Sequence, residues 1–316
     1  MGDDRKGAAV AAAPKAVTSV TIAGITFRNV VIAASGTFGY GREFAGFIDL
    51  SALGGVCTKA VTLEPREGNP PPRVAETPSG ILNSIGLQNP GLEAFIRDEL
   101  PFLLRSGTKV IANVAGRSAE EYAAVAGALG GAGVDAVELN VSCPNVSEGC
   151  MAFGTSPKAT ERLTREVKEA CAVPVFVKLS PNVSDIAEMA LAAEAGGADA
   201  ITMVNTLLGM AVDIKTGRPV LGNVTGGLSG PCIKPVALRM VYEVCMKVGV
   251  PVIGMGGIAG YEDALEFLMV GARAVMVGTA GLCDPYAHIK CVEGLERYMG
   301  SNGIGDVGEL VGLALP

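Results

Sequence analysis

The stretch Gly133-Val134-Asp135-Ala136-Val137-Glu138-Leu139-Asn140-Val141-Ser142-Cys143-Pro144-Asn145 decides how this chain is read. Gly133 stops a helix, and an apolar, β-branched run then opens a strand. That strand ends abruptly in a polar turn carrying a thiol and two carboxamides. The same wording returns at Gly197-Ala198-Asp199-Ala200-Ile201 and at Gly271-Ala272-Arg273-Ala274-Val275. A repeated step from helix stop to buried strand is the mark of a parallel α/β protein.

Working outward, strands are predicted at residues 30–34, 55–59, 109–114, 135–141, 175–179, 200–204, 252–255 and 274–277. Helices are predicted at about 92–104, 119–129, 158–172, 183–195, 234–247, 262–270, 285–298 and 307–313. Eight strands alternating with helices predict a (β/α)8 TIM barrel, with a doubly wound sheet as the runner-up. Two apolar runs flanking Ala23-Gly24 add a short N-terminal β-hairpin. Residues 1–16 read as a flexible, Ala-rich extension and residues 17–316 as one domain. Residues 64–91 read as a long irregular segment, and segments of that length are usually functional. Residues 205–229 read as a loop with a small hairpin.

Composition bounds the function. Hydrophobic residues make up 49% of the 316, enough for a large core, and 43 glycines suit tight loops and phosphate-facing turns. A net charge of -7 without a long basic run argues against nucleic acid or an anionic membrane as partner. No apolar run of about 20 residues is present to span a bilayer. The opening MGDDRKGAAVAAAPKAV has too weak an apolar core for a signal peptide, so a cytoplasmic location is expected. The eight cysteines include no C-x-x-C pair, no metal site is expected, and most read as buried small hydrophobes.

In a parallel barrel the chemistry lies at the C-terminal ends of the strands. Here those ends supply Ser35, Lys59, Asn113, Asn140, Lys178, Asn205, Gly256-Gly257 and Gly278-Thr279. The last two turns follow strands seven and eight, where barrels often bind phosphate through backbone N–H groups. Lys59 and Lys178 each interrupt an apolar strand. They are either snorkelling lysines or a pair of cations that stabilise negative charge on a ligand. Asn83, Asn140 and Asn205 both donate and accept, which suits a planar heterocycle edged with C=O and N–H groups. His288, the one histidine, lies in a late helix away from these ends, which disfavours histidine acid–base schemes. Cys143 is therefore the candidate proton-transfer group, since a free thiol titrates near ~8.5 and a site can tune it. Cys150, in the same loop, is given no role.

Longer motifs sharpen this reading. They are Ala34-Ser35-Gly36-Thr37-Phe38-Gly39, Lys59-Ala60, Gly68-Asn69-Pro70 through Pro72-Arg73, and Asn83-Ser84-Ile85-Gly86-Leu87-Gln88-Asn89-Pro90-Gly91. They continue with Asn140-Val141-Ser142-Cys143-Pro144-Asn145, Val177-Lys178-Leu179-Ser180-Pro181-Asn182, Asn205-Thr206, Thr225-Gly226-Gly227-Leu228-Ser229-Gly230, Met255-Gly256-Gly257 and Gly278-Thr279. Together they resemble class 1 dihydroorotate dehydrogenase, and most closely its NAD-linked class 1B catalytic subunit, from residue 17 to the C-terminus. The resemblance implies FMN as cofactor and oxidation of (S)-dihydroorotate to orotate in de novo pyrimidine biosynthesis. Cys143 would remove the C5 proton while hydride passes from C6 to the flavin N5. Lys59, Asn83, Ser84, Ile85, Gly86, Leu87, Asn140, Asn205 and Thr206 would bind substrate. Ser35, Lys59, Ala60, Asn113, Asn140, Lys178, Val204, Gly230, Gly256, Gly257, Gly278 and Thr279 would bind FMN, with Lys178 stabilising charge on the reduced flavin. Residues 141–155 would form a lid.

Class 1B implies an electron-transfer partner subunit carrying FAD and a 2Fe-2S cluster and reducing NAD+, with a homodimer inside a heterotetramer. This chain has no cysteine cluster or G-x-G-x-x-G opening of its own to hold those groups. The cysteine at position 143 sets it apart from class 2 enzymes, which use serine. The alternatives are a class 1A enzyme passing electrons to fumarate and a related dihydropyrimidine-oxidising flavin barrel. A flavin-storing scaffold without chemistry is opposed by the intact Cys143, Lys59 and asparagine set.

Overall fold

The computed structural model describes residues 16–141 and 153–316, and its centre is a closed barrel of eight parallel strands. The barrel strands are β3 (Val31–Ala33), β4 (Gly55–Cys57), β7 (Lys109–Val114), β8 (Ala136–Asn140), β9 (Val175–Lys178), β10 (Ala200–Met203), β15 (Val252–Met255) and β16 (Ala274–Val277). Their order around the barrel is the chain order, closing where β16 pairs with β3. The strands are Val-, Ile- and Ala-rich, and almost every residue in them is buried, because helices cover the outside and side chains fill the inside. Registers set the layers of the interior: Asn113 pairs with Glu138 across β7 and β8, and Asn140 with Lys178 across β8 and β9.

The expected hairpin is β1 (Val20–Ile22) with β2 (Ile25–Phe27). Ala23 and Gly24 both have positive φ, the two-residue turn whose twist matches the flanking strands. It buries Ile22, Ile25 and Phe27 at one end of the core. The expected extension at residues 1–16 lies outside the described residues but for Ala16, as does most of the expected lid.

Three expectations need correcting. The segment 64–91 is not irregular throughout: it contains β5 (Val74–Thr77) and β6 (Gly80–Asn83), an antiparallel pair turning at Ser79. β6 pairs onward with β14 (Thr225–Ser229), and β14 with β11 (Leu207–Met210), making a four-stranded antiparallel sheet. These strands are short and partly exposed, so they lack the apolar run that marks a barrel strand. The helical stretch 92–104 is interrupted by a π turn at Phe95–Glu99, just before Pro101, whose missing N–H cannot continue an α ladder. The last two expected helices are a helix at Ala287–Asn302, preceded by a short one at Thr279–Cys283, and a single 3-10 turn at Val307–Leu310. No helix among the described residues is long and apolar enough to cross a membrane.

Candidate active site

A cavity of about 610 Å³ opens at the C-terminal ends of the barrel strands, in the size range of small-molecule sites. The antiparallel sheet β11–β14–β6–β5 stands beside it, so residues distant in sequence meet there. Of the residues singled out above, Ser35, Lys59, Ala60, Asn83, Ile85, Gly86, Leu87, Asn140, Lys178, Val204, Asn205, Thr206, Gly230, Gly256, Gly257, Gly278 and Thr279 line it. Two do not. Asn113 is fully buried behind Asn140, and Ser84, the residue after β6, is fully buried. Cys143 and Cys150 lie outside the described residues.

The floor is made by β8 and β9. Asn140 and Lys178 end these paired strands, and only 7% and 4% of their surfaces are exposed. The carbonyl of Asn140 accepts from Tyr122 Oη at 2.7 Å, a buried bond that fixes the strand end from outside. Its Nδ2 donates to Asn113 Oδ1 at 3.4 Å, and Asn113 Nδ2 donates to Glu138 Oε1 at 2.6 Å. Glu138 also accepts from Cys57 Sγ at 3.2 Å and lies 3.9 Å from Lys178 Nζ. Burial, and then the Glu138 charge, push the Cys57 thiol well above its ordinary range, so it acts as a donor here and not as a thiolate.

Opposite, the cavity wall is backbone. Gly256 and Gly257 follow β15 with φ of 119° and 82°, and Gly230 follows β14 with φ of 102°. A Cβ at Gly257 would stand 2.7 Å from the backbone N of Lys234, and one at Gly230 would stand 2.8 Å from Gly80 Cα. Only glycine fits either turn, and both leave backbone facing the cavity. Lys234 itself is held by Asp263 at 2.7 Å and Glu266 at 2.9 Å, and these bonds raise its pKa. Thr279 donates to Ser229 Oγ at 2.9 Å, tying the end of β16 to the side sheet.

The remaining carboxamides are aimed by neighbours. Asn205 Oδ1 accepts from Thr206 N at 2.8 Å. Asn182 donates to Thr206 O at 3.0 Å and accepts from Leu208 N at 2.8 Å, clamping the 205–208 turn. Asn83 donates to Gly227 O at 3.3 Å. Arg73 donates to Gln88 Oε1 at 2.7 Å and to the carbonyl of Asn69, which braces the 83–88 segment.

His288 does not line the cavity, but it is not remote from the strand ends as expected: it is buried against the end of β16. Its ring packs edge-on to Phe38 and Phe44, and Nε2 bonds Val277 O at 3.1 Å. Burial pulls its pKa down to about 4. The cysteines are less uniform than expected: Cys57, Cys171 and Cys291 are buried, Cys245 is half-buried, but Cys232 and Cys283 are exposed.

Sequence reasoning gave no role to Glu138 or Asn182, although both lie in quoted stretches, and passed over Cys57 and Tyr122. For Glu138 the signal was present: an acidic residue inside the apolar run Ala136–Leu139, two before Asn140 and therefore on the same strand face. The other three have no such signature, because their roles depend on which strands become neighbours.

A flat, partly polar ligand with an anionic arm fits this arrangement. Apolar residues such as Val204, Met255 and Met276 line the cavity together with Lys59, Lys178 and the glycine turns, whose exposed backbone could take an anion. The fold and the cavity thus define a parallel-barrel enzyme with a cofactor-sized site at its mouth. Comparison with known proteins places it more closely. The family model for dihydroorotate dehydrogenase matches residues 17–299. The chain is 56% identical over 293 residues to the catalytic subunit of dihydroorotate dehydrogenase B (NAD(+)) of Alkaliphilus oremlandii, covering 93% of this chain and 97% of the relative. It is 55% identical over 295 residues to the protein of that name in Geobacillus kaustophilus, covering 93% and 94%. The chain belongs to the dihydroorotate dehydrogenase family, within its NAD-linked class 1B.

Proposed function

We propose that this cavity is where dihydroorotate is oxidised to orotate, over FMN held against Lys178 and the glycine turns, in pyrimidine biosynthesis. Family membership carries the dehydrogenase activity. The observation that best supports the cavity as its seat is the buried pair of Asn140 and Lys178 on its floor. Both line the cavity although they are almost wholly withdrawn from solvent, a costly place for a carboxamide and an ammonium. They are poised for a ligand bearing both hydrogen-bonding edges and negative charge.

Residues 17–316 act in this reading as one FMN-binding domain. Gly256, Gly257, Gly278 and Thr279 hold the phosphate arm through backbone, with Gly230 and Ser35 beside them. Lys59, Ala60, Asn140, Lys178 and Val204 contact the ring system, and Asn113 acts from behind by holding Asn140. Asn83, Asn205, Thr206 and the 85–87 backbone hold the pyrimidine and its carboxylate, with Ser84 supporting that segment from beneath. FMN, when bound, supplies the acceptor for the hydride that leaves C6. Cys143, three residues beyond Asn140 in sequence, takes the proton from C5.

The relatives are named catalytic subunits of an NAD(+)-linked enzyme. That name supports a separate electron-transfer subunit with FAD and a 2Fe-2S cluster, assembled with a homodimer of this chain into a heterotetramer. The described cysteines are all free thiols, which fits a reducing cytoplasm. Mixing anaerobic chain with dihydroorotate tests the assignment. A bound flavin should bleach, and Cys143→Ala should bleach far more slowly at neutral pH while keeping its FMN. Equal rates would remove Cys143 from this role. NAD+ reduction should require the iron–sulfur flavoprotein; efficient fumarate reduction by the lone chain would contradict the NAD link.

A further inference from the structure

One oxygen in the barrel interior, on β8, gathers side chains from three other strands. Glu138 Oε1 accepts from Asn113 of β7 at 2.6 Å and from Cys57 of β4 at 3.2 Å, and lies 3.9 Å from Nζ of Lys178 on β9. The Glu138 side chain is wholly buried and that of Lys178 is 6% exposed. Glu138 Oε2 has no hydrogen-bond partner among the described residues. Packing does not explain this group. An apolar residue of similar volume would fill the barrel layer without the desolvation cost of a carboxylate. What Glu138 has instead is position. It points into the barrel one layer beneath Asn140 and Lys178, the two residues that form the cavity floor.

We infer that Glu138 is a positioning residue of the active site: its carboxylate offsets the Lys178 charge as felt from the cavity, and through Asn113 it orients Asn140. The inference rests on the FMN reading above. Its consequence is electrostatic. Lys178 favours the more negative, reduced form of a ligand above it, and Glu138 beneath restrains that preference. The site would thereby hold a flavin that accepts electrons from substrate yet still releases them onward.

The test uses the full chain loaded with FMN. Glu138→Gln keeps an amide oxygen for Asn113 and Cys57 and removes only the charge. The two-electron midpoint potential of the bound flavin should then rise by at least one tenfold step in preference for the reduced form, about 30 mV. An unchanged or lower potential overturns the inference. A second arm needs no flavin. Glu138→Gln should lower the Tm of the flavin-free chain by leaving Lys178 buried without its counter-charge. Adding Lys178→Met should recover part of that loss, because the pair is then neutral. A double variant no more stable than Glu138→Gln would show that the charges are not coupled and would overturn the inference. If the wild-type chain takes up no FMN, the flavin reading alone fails, and the second arm decides the pairing.

Discussion

The two halves of the barrel mouth are built by opposite means. Where β8 and β9 end, the side chains of Asn140 and Lys178 face the cavity, and a buried network centred on Glu138 holds them from beneath. Where β15 and β16 end, backbone faces the cavity, and the supports behind it are steric: Lys234 under Gly257, and a neutral His288 against the carbonyl of Val277. The first half should be sensitive to charge, because its ionic groups are buried. The second is sensitive to a single added methyl group. An anionic arm needs only N–H groups at fixed positions, whereas a ring that changes charge during turnover needs a cation whose field is set.

That contrast can be broken on the charged side first. Lys178→Met should lower dehydrogenase turnover about 10²–10³-fold, the usual effect of deleting one preorganised electrostatic group. It also leaves Glu138 buried and unpaired, so a stability loss of about 3–5 kcal/mol is expected in chemical denaturation. A variant with near-normal turnover would mean that the lysine serves only the buried pair with Glu138.

On the steric side, His288 gives a pH signature. Its pKa is 6.5 in the unfolded chain and about 4 in the fold, so below pH 6.5 the unfolded chain binds a proton that the folded one refuses. The stability it contributes is complete above pH 6.5 and is lost as pH falls toward 4. The drop amounts to roughly 3 kcal/mol at 1.36 kcal/mol per pH unit. Denaturation midpoints at pH 7 and 4.5 should differ less in His288→Gln than in the wild type. An equal difference would place the acid sensitivity elsewhere.

Gly257→Ala sharpens the comparison further. The left-handed φ and the 2.7 Å approach to Lys234 N predict about 1–3 kcal/mol of strain. FMN affinity, followed by flavin fluorescence, should weaken tenfold or more. The turnover of the fraction that remains loaded should change little. Parallel losses in affinity and turnover would mean that the two halves are not separable.

Much of this is legible in the sequence alone. The Gly133, Gly197 and Gly271 steps marked the helix-to-strand joints, and β7, β15 and β16 begin and end where the apolar runs do. The strand-end rule brought Lys59, Asn140, Lys178 and the glycine turns to one cavity, because a closed parallel barrel leaves those ends nowhere else to point. Depth was harder to read. Asn113 looks like another strand-end carboxamide, yet Val114 follows it in β7, and it sits one layer down, behind Asn140. The side sheet was hidden for a different reason. β5, β6, β11 and β14 are partly exposed strands paired across long sequence distances, and neither periodicity nor local turn chemistry specifies such partners. The Glu138 network depends on registers among four strands, which no single stretch encodes.

The most direct test of the central claim is to titrate the purified, flavin-free chain with FMN and then add dihydroorotate without oxygen. One FMN per chain should bind, and the added dihydroorotate should bleach its absorbance. A chain that binds no FMN, or whose bound FMN stays oxidised with dihydroorotate present, would contradict the account.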